Sequence, residues 1–430
     1  MRAVTGFDLG PFPDAAGYTE AVAIDAADEL AGFRAHFVID DPDLIYLDGN
    51  SLGRMPRDAE RIVNQVMRHE WGDRLIRSWN EGWWDLQLDL GDRLAPLLGA
   101  SQGEVMISDS TSVNLYKLAM AAMRARPERT TIVTDDMNFP SDVYVLQAVA
   151  ETLGAELVIV ETDGTSDPIG SLSQALDDKT ALVSISHTTF KTGYTYDLAR
   201  VTEMAHASGA LTLWDLSHSA GAMPIDLNGS NADLAVGCTY KHLNGGPGAP
   251  AFLFVRTDLQ DRLDNPIPAW WAHAEPFSFD LAFEPVTGIR RFHTGTMPVL
   301  SLAAVASGIA EVSTAGLAAI RAKSLGLGQF VIEQWDQHLR QLGFGLASPF
   351  EPALRGSHIC LTHPHGRPIS LALIEIGKVI PDFRAPDGLR LGLSALYTTY
   401  LEIHTAIQRL KGIVTGGLEE GFREVRLTVT

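Results

Sequence analysis

Apolar runs bounded by Gly, Pro and polar clusters divide this chain into short elements. Residues 45–47 form a brief apolar run, followed by the turn-forming DGNSLGRMP and a helix start after Pro56. Residues 105–108 read as a buried strand. Beyond Ser110, positions Leu115, Leu118, Ala119 and Ala122 recur at helical spacing. The stretches TTIVTDD, AELVIVET, ALVSISH and ALTLWD are apolar runs of strand length, with helix-length segments between them. Strands alternating with helices predict a mainly parallel sheet flanked by helices, an α/β architecture. From Pro298 the pattern is helical through Gln341. Then SHICLTHP (strand), PISLALIEIG (helix), GLRLGLSALY (strand and turn) and a last helix to Val414 predict a smaller α+β unit. The expected organisation is an arm with a Gly- and Asn-rich loop over 1–56, a large domain over 57–300 and a small C-terminal domain over 301–430.

The stretch from Trp214 to Pro250 concentrates the candidate chemistry. Asp215 ends one apolar run, with His218 three residues on; Tyr240 and Lys241 follow the next run and precede a Gly-rich turn. In α/β folds ligands sit outside the carboxyl ends of parallel strands, so Asp215 and Lys241 are expected to face one crevice. An amine there can form a Schiff base with pyridoxal 5'-phosphate (PLP), and a carboxylate can keep the pyridine nitrogen protonated. Plainer readings stand beside this one: a loop cap for Asp215, a satisfied buried histidine for His218, and a surface residue at a hairpin for Lys241. No second His or Cys falls nearby at ligand spacing, so no metal site is expected.

Other candidates lie at element starts. Ser110, Thr111 and Ser112 fit a helix cap or a phosphate site. In NFPSD (138–142), Phe139 can stack on a planar ring, and Ser141 and Asp142 can cap the next helix. The turn with Asn50, Ser51 and Gly53 can bind a carboxylate or simply reverse the chain. Arg390, within a predicted strand, and Arg355, before another, can clamp a carboxylate, although most arginines are surface residues. Four of the eight tryptophans fall within 71–84, interleaved with Arg74 and Arg77. That cluster reads as core or dimer interface, with Trp79 singled out as a ring that can meet an aromatic acid. The formal charge of −20 argues against nucleic acid as a partner. Two cysteines, Cys238 and Cys360, give no disulfide framework. The N-terminal stretch lacks a long apolar run and no later stretch suits a membrane span, so a cytoplasmic enzyme is expected.

With these residues in view, the chain resembles the kynureninase family from about residue 45 to about 414. The resemblance rests on DGNSLG (48–53), DSTSVNL (109–115), NFPSD (138–142), WDLSHSAG (214–221), CTYKHLNGGPG (238–248), WWAH (270–273), GTMP (295–298), RGSH (355–358) and GLRLGLSALY (388–397). It implies the fold type I PLP-dependent fold of the class V aminotransferase group. It also implies PLP as cofactor, a small amino-acid substrate and a homodimer with shared active sites. Carried over by position, Lys241 is the Schiff-base lysine, Asp215 the pyridinium partner with His218 beside it, and Tyr240 a proton-handling hydroxyl. Thr111 and Ser112 match the phosphate site, and Phe139, with Asp142 near it, matches the stacking ring. Trp270 and Thr296 would reach the phosphate of the neighbouring subunit, Arg390 would grip the substrate α-carboxylate, and Asn50 with Ser51 would line the substrate end. Some members carry Asn where Thr296 stands, a position linked to the choice between kynurenine and its 3-hydroxy form. The implied activity is hydrolytic cleavage of L-kynurenine. The alternatives are another PLP lyase of this fold, such as a cysteine desulfurase or selenocysteine lyase, and a non-catalytic homologue.

Overall fold

The computed structural model describes residues 14–166 and 168–425. The first thirteen residues, which carry much of the reading of the N-terminal stretch, lie outside the described residues. A two-residue strand, β1 (Ile45–Tyr46), precedes the large sheet. That sheet comprises β2 (Val105–Ile107), β3 (Thr131–Asp135), β4 (Glu156–Val160), β5 (Thr180–Ser186), β6 (Leu211–Asp215), β7 (Leu234–Gly237) and β8 (Phe252–Val255), in the order β2-β8-β7-β6-β5-β3-β4. The pairings from β4 through β7 are parallel, and β8 runs antiparallel to both of its neighbours.

Alternate strand residues serve alternate faces. Val133, Val183, Ile185 and Trp214 enter one buried cluster, while Ile132, Leu182, Leu213 and Val236 enter another. Burial on both faces explains why these strands read as unbroken apolar runs. The chain steps from β3 outward to β4, then returns past β3 to β5, β6 and β7. This reversal of strand order opens a crevice beyond the carboxyl ends of β3, β5 and β6.

The C-terminal strands are β9 (Gly345–Leu346), β10 (His358–Thr362), β11 (Val379–Ile380), β12 (Asp382–Arg384) and β13 (Gly388–Gly392). Four of them make an antiparallel sheet in the order β12-β13-β10-β9. The fifth, β11, pairs in parallel with β1. Ala21, Ile45 and Leu47 from the expected arm share a core with Leu327, Phe330, Leu391 and Ile407.

The loop after β1 bridges the two sheets. Gly392 N–H donates to Leu47 O at 2.7 Å, and Gly53 N–H donates to Tyr240 O at 2.8 Å. A Cβ on Gly392 would overlap the Asn50 amide, and one on Gly53 would overlap the Lys241 carbonyl. These two close approaches require glycine.

The tryptophan-rich segment begins with a π-helical turn at Val66–Arg74. Trp79 packs edge-on against Trp83 (5.5 Å) and Trp271 (5.2 Å), and Trp84 stacks on Trp271 at 4.8 Å. Trp79 is therefore occupied within an aromatic cluster and does not line the crevice. Arg74 pairs with Glu81, and the Arg77 guanidinium donates to the carbonyls of Asp73 and Arg74.

Candidate active site

A cavity of about 510 Å³ lies at the strand ends. It gathers residues from many parts of the chain: Ser51, Phe139 and Asp142, Asp215 and His218, Tyr240 and Lys241, and Arg390. The Lys241 ammonium lies 2.9 Å from His218 Nε2. Burial, then the charge of Lys241, holds the His218 imidazole well below its usual pKa, so the ring is neutral. With Lys241 donating to Nε2, the ring proton sits on Nδ1, which has no partner.

Asp215 closes β6, and its Oδ1 accepts from the Ser217 N–H (2.9 Å) and the Ser217 hydroxyl (2.6 Å). These local bonds fix its direction before any ligand arrives. Asp142, buried in the first turn of the helix Pro140–Leu153, is its neighbour. Burial and then the negative charge of Asp215 push the Asp142 carboxyl well up, against the pull of Lys241. Asp142 Oδ2 also lacks a partner. The Cys238 sulfur and then burial raise the Tyr240 phenol, which keeps its proton at neutral pH.

Thr111 and Ser112 open the fourteen-residue helix Thr111–Arg124, capped by Ser110, whose hydroxyl accepts from Val113 N–H at 3.4 Å. First-turn N–H groups have no acceptor within the helix and suit an anion. Asp109, at φ 49°, anchors this loop: Oδ2 receives the fully buried Lys117 ammonium (2.7 Å) and Oδ1 the Thr294 hydroxyl (2.8 Å). Asp109 and Lys117 were not singled out from the sequence, because a pairing between the loop before the helix and a residue eight positions on leaves no mark in the apolar pattern.

At the opposite end Arg390 is almost wholly buried. Its guanidinium reaches Ser51 Oγ (3.0 Å), the Phe190 carbonyl and Asp382. Asn50 is fully buried there, with neither amide atom partnered. A second arginine, Arg384, lines the same wall. It too was missed, because its place beside Arg390 is set by the pairing of β12 with β13. Three expected residues lie elsewhere. Arg355 is buried and donates to the carbonyls of Pro349 and Phe350, so it organises a loop and lines no part of the cavity. Trp270 and Thr296 are exposed on this chain and stand outside its own cavity.

Among proteins of known sequence, a kynureninase of Pseudomonas fluorescens is 43% identical over 400 residues, spanning 92% of this chain and 95% of the relative. A kynureninase of Burkholderia pseudomallei (strain 1106a) is 44% identical over the same shares. The profile described as kynureninase C-terminal domain matches residues 320–410, and that of class-V aminotransferases matches 91–349. The chain belongs to the kynureninase family. Solved structures support the fold. A cysteine desulfurase from Thermococcus onnurineus NA1 superposes with a TM-score of 0.76 at 18% identity, covering 87% of this chain and 95% of that one. A C-DES mutant with glycine covalently linked to its PLP cofactor gives 0.76 at 19% identity, covering 86% and 97%.

The cofactor of a kynureninase is PLP, and the cavity fits it. A primary amine, a carboxylate pair and an open helix N-terminus line one space, and two buried polar atoms, Asp142 Oδ2 and His218 Nδ1, await partners. Among the described residues, one trio has the reach to hold a metal ion: His365, Glu419 and Glu420. The Arg423 guanidinium already sits there, 3.4 Å from the His365 ring nitrogens and bonded to Glu420.

Proposed function

We propose that this kynureninase hydrolyses the Cβ–Cγ bond of L-kynurenine to anthranilate and L-alanine, with 3-hydroxykynurenine as the alternative substrate giving 3-hydroxyanthranilate. The observation that carries the reading is the meeting of Lys241, Asp215 and Arg390 on one cavity in a chain of this family. PLP, when bound, supplies an aldehyde for an amine and a ring that accepts electrons. Lys241 is the amine that joins it and, once neutral, the base that moves a proton at the substrate Cα. Asp215 would hold the proton on the ring nitrogen, with the neutral His218 beside it. Thr111 and Ser112 would receive the phosphate, and Phe139 would pack on the ring. Tyr240, which keeps its proton, delivers it at the γ-oxygen or at Cβ. Arg390 takes the α-carboxylate, with Ser51 and Asn50 completing that end.

The active unit we propose is a homodimer. Trp71, Leu75, Ile76, Trp270, Phe277 and Leu281 are exposed large apolar side chains, of the kind a partner subunit covers. A partner covering them would bring its own Trp270 and Thr296 to the phosphate end. No single helix among the described residues is long and apolar enough to cross a membrane. A cytoplasmic setting fits that and the two free, buried cysteines.

A desulfurase-like chemistry needs a reactive cysteine. Burial raises the thiol of Cys238 and pushes that of Cys360 up to about 12, and neither lines the cavity. PLP-loaded protein should release anthranilate fluorescence from L-kynurenine and little alanine from cysteine sulfinate. The reverse pattern would remove the kynureninase reading.

A further inference from the structure

The grip on the substrate carboxylate is more than one arginine. β12 and β13 run antiparallel with Asp382 opposite Arg390 and Arg384 opposite Gly388. Residues two apart on a strand share a face, as do directly opposed residues on neighbouring strands. Asp382, Arg384 and Arg390 therefore project together. Asp382 receives both cations: Arg390 Nη2 in close contact and Arg384 Nη2 at 3.0 Å. The two guanidiniums also converge on the Ser51 hydroxyl, at 3.0 Å from Arg390 and 3.5 Å from Arg384. Both line the cavity. The Arg390 Nε, deeply buried, has no partner.

The charge balance decides what this cluster can attract. Arg390 with Asp382 alone would be a neutral buried pair, with little pull on an incoming anion. Arg384 adds a second cation to the same acid and leaves the group at +1. The remaining acid nearby, Asp48, is buried with Oδ1 unpartnered. Burial, then the charge of Asp382, pushes its carboxyl up to about 7, so near neutral pH it is only partly ionised and cancels part of that charge, and below neutrality it cancels none.

We infer that Arg384 is a positioning residue for substrate: by sharing Asp382 with Arg390, it leaves one uncompensated positive charge at the carboxylate end of the cavity. This deepens the proposed function and rests on Arg390 as the carboxylate site. Arg384 acts on the substrate through the electrostatics of Arg390 and through Ser51. Its side chain is about one third exposed and its strand is at the edge of the sheet, so truncation leaves the core intact.

The test uses full-length, PLP-loaded Arg384→Met and Arg384→Lys. For Arg384→Met the KM for L-kynurenine should rise about tenfold, with kcat within about threefold of the parent. The dissociation constant of L-alanine, a product with the same α-carboxylate, should rise by the same factor when read from the cofactor's absorbance. PLP affinity and Tm should not move, and Arg384→Lys should recover most of both losses. Unchanged KM and alanine affinity in Arg384→Met would overturn the inference, as would a fall in kcat alone. Should the parent protein make no anthranilate, the proposed function fails, while the alanine titration still judges Arg384.

Discussion

The two ends of the cavity solve different electrostatic problems. At the cofactor end, burial and neighbouring groups tune proton ownership: His218 is kept neutral, Asp142 is pushed towards its acid form and Tyr240, beside Cys238, keeps its phenol proton. At the carboxylate end, two arginines and an aspartate hold formal charges in mutual contact. The backbone follows the same division. The first end is built from residues that leave parallel strands one after another, whereas the second is built from cross-strand neighbours in an antiparallel sheet. Variants at the first end should therefore change kcat, and variants at the second should change KM.

The largest effect is expected for Lys241→Ala, which removes both the amine and the base. Its kcat should fall by about 10⁴-fold or more, measured by anthranilate fluorescence with PLP-reconstituted protein. A variant within tenfold of the parent would show that another group does the work. Asp215→Asn comes next, with kcat expected to drop by about 10²–10³-fold, the span of one lost electrostatic stabiliser. It should also weaken PLP binding in an equilibrium titration.

On the other side of the divide, Arg390→Lys replaces a planar fork with a point charge. It should raise the KM for kynurenine by about 10- to 100-fold with a smaller change in kcat. A variant that lost kcat and kept KM would erase the contrast between the two ends.

The Asp48 carboxyl gives the contrast a pH signature. The groups around it are Asp382, Arg384, Arg390, Ser51, Tyr46 and Tyr397. Below about pH 7 Asp48 carries a proton; as pH rises through that value it gains a negative charge and opposes the substrate carboxylate. The KM should therefore be flat below neutrality and rise above it by up to about tenfold, the effect of a one-unit pKa coupling. Asp48→Asn should abolish the rise. Survival of the same pH dependence in Asp48→Asn would assign it to another group.

The smallest effect concerns stability. Burial, then the charges of Lys241 and Arg390, lowers His242 from 6.5 to about 3. The unfolded chain takes up its proton first as pH falls, so stability from this group is complete above about pH 6.5 and lost from there towards pH 3. The slope is about 1.4 kcal/mol per pH unit for a single group. His242→Gln should flatten the acid limb of the Tm profile by an amount of order 1 kcal/mol at pH 5.5. An unchanged acid limb would show that His242 does not govern it.

This division also explains what could be read from the sequence. Asp215 and Lys241 stand at the ends of apolar runs, where a charge is conspicuous, and Thr111 and Ser112 stand at a visible helix start. The parallel sheet was legible because doubly buried strands are unbroken apolar runs. Asp382 and Arg384 were not legible as site residues, because their meaning comes from the strand opposite them. Trp79 was misread because its partner Trp271 lies in a distant segment of the chain. Trp270 and Thr296 lie outside this chain's own cavity, and nothing in the apolar pattern marks a residue whose partner is on another subunit.

The pairing of β1 with β11, and the bond that ties Leu47 to Gly392, carry a practical consequence for recombining this chain with its relatives. A chimera that exchanges only the C-terminal third would set a foreign strand against the native β1 and separate Ser51 from the arginines it was fitted to. Crossover libraries should move residues 45–53 together with the segment from β9 onward as one block, although the long intervening sequence suggests otherwise.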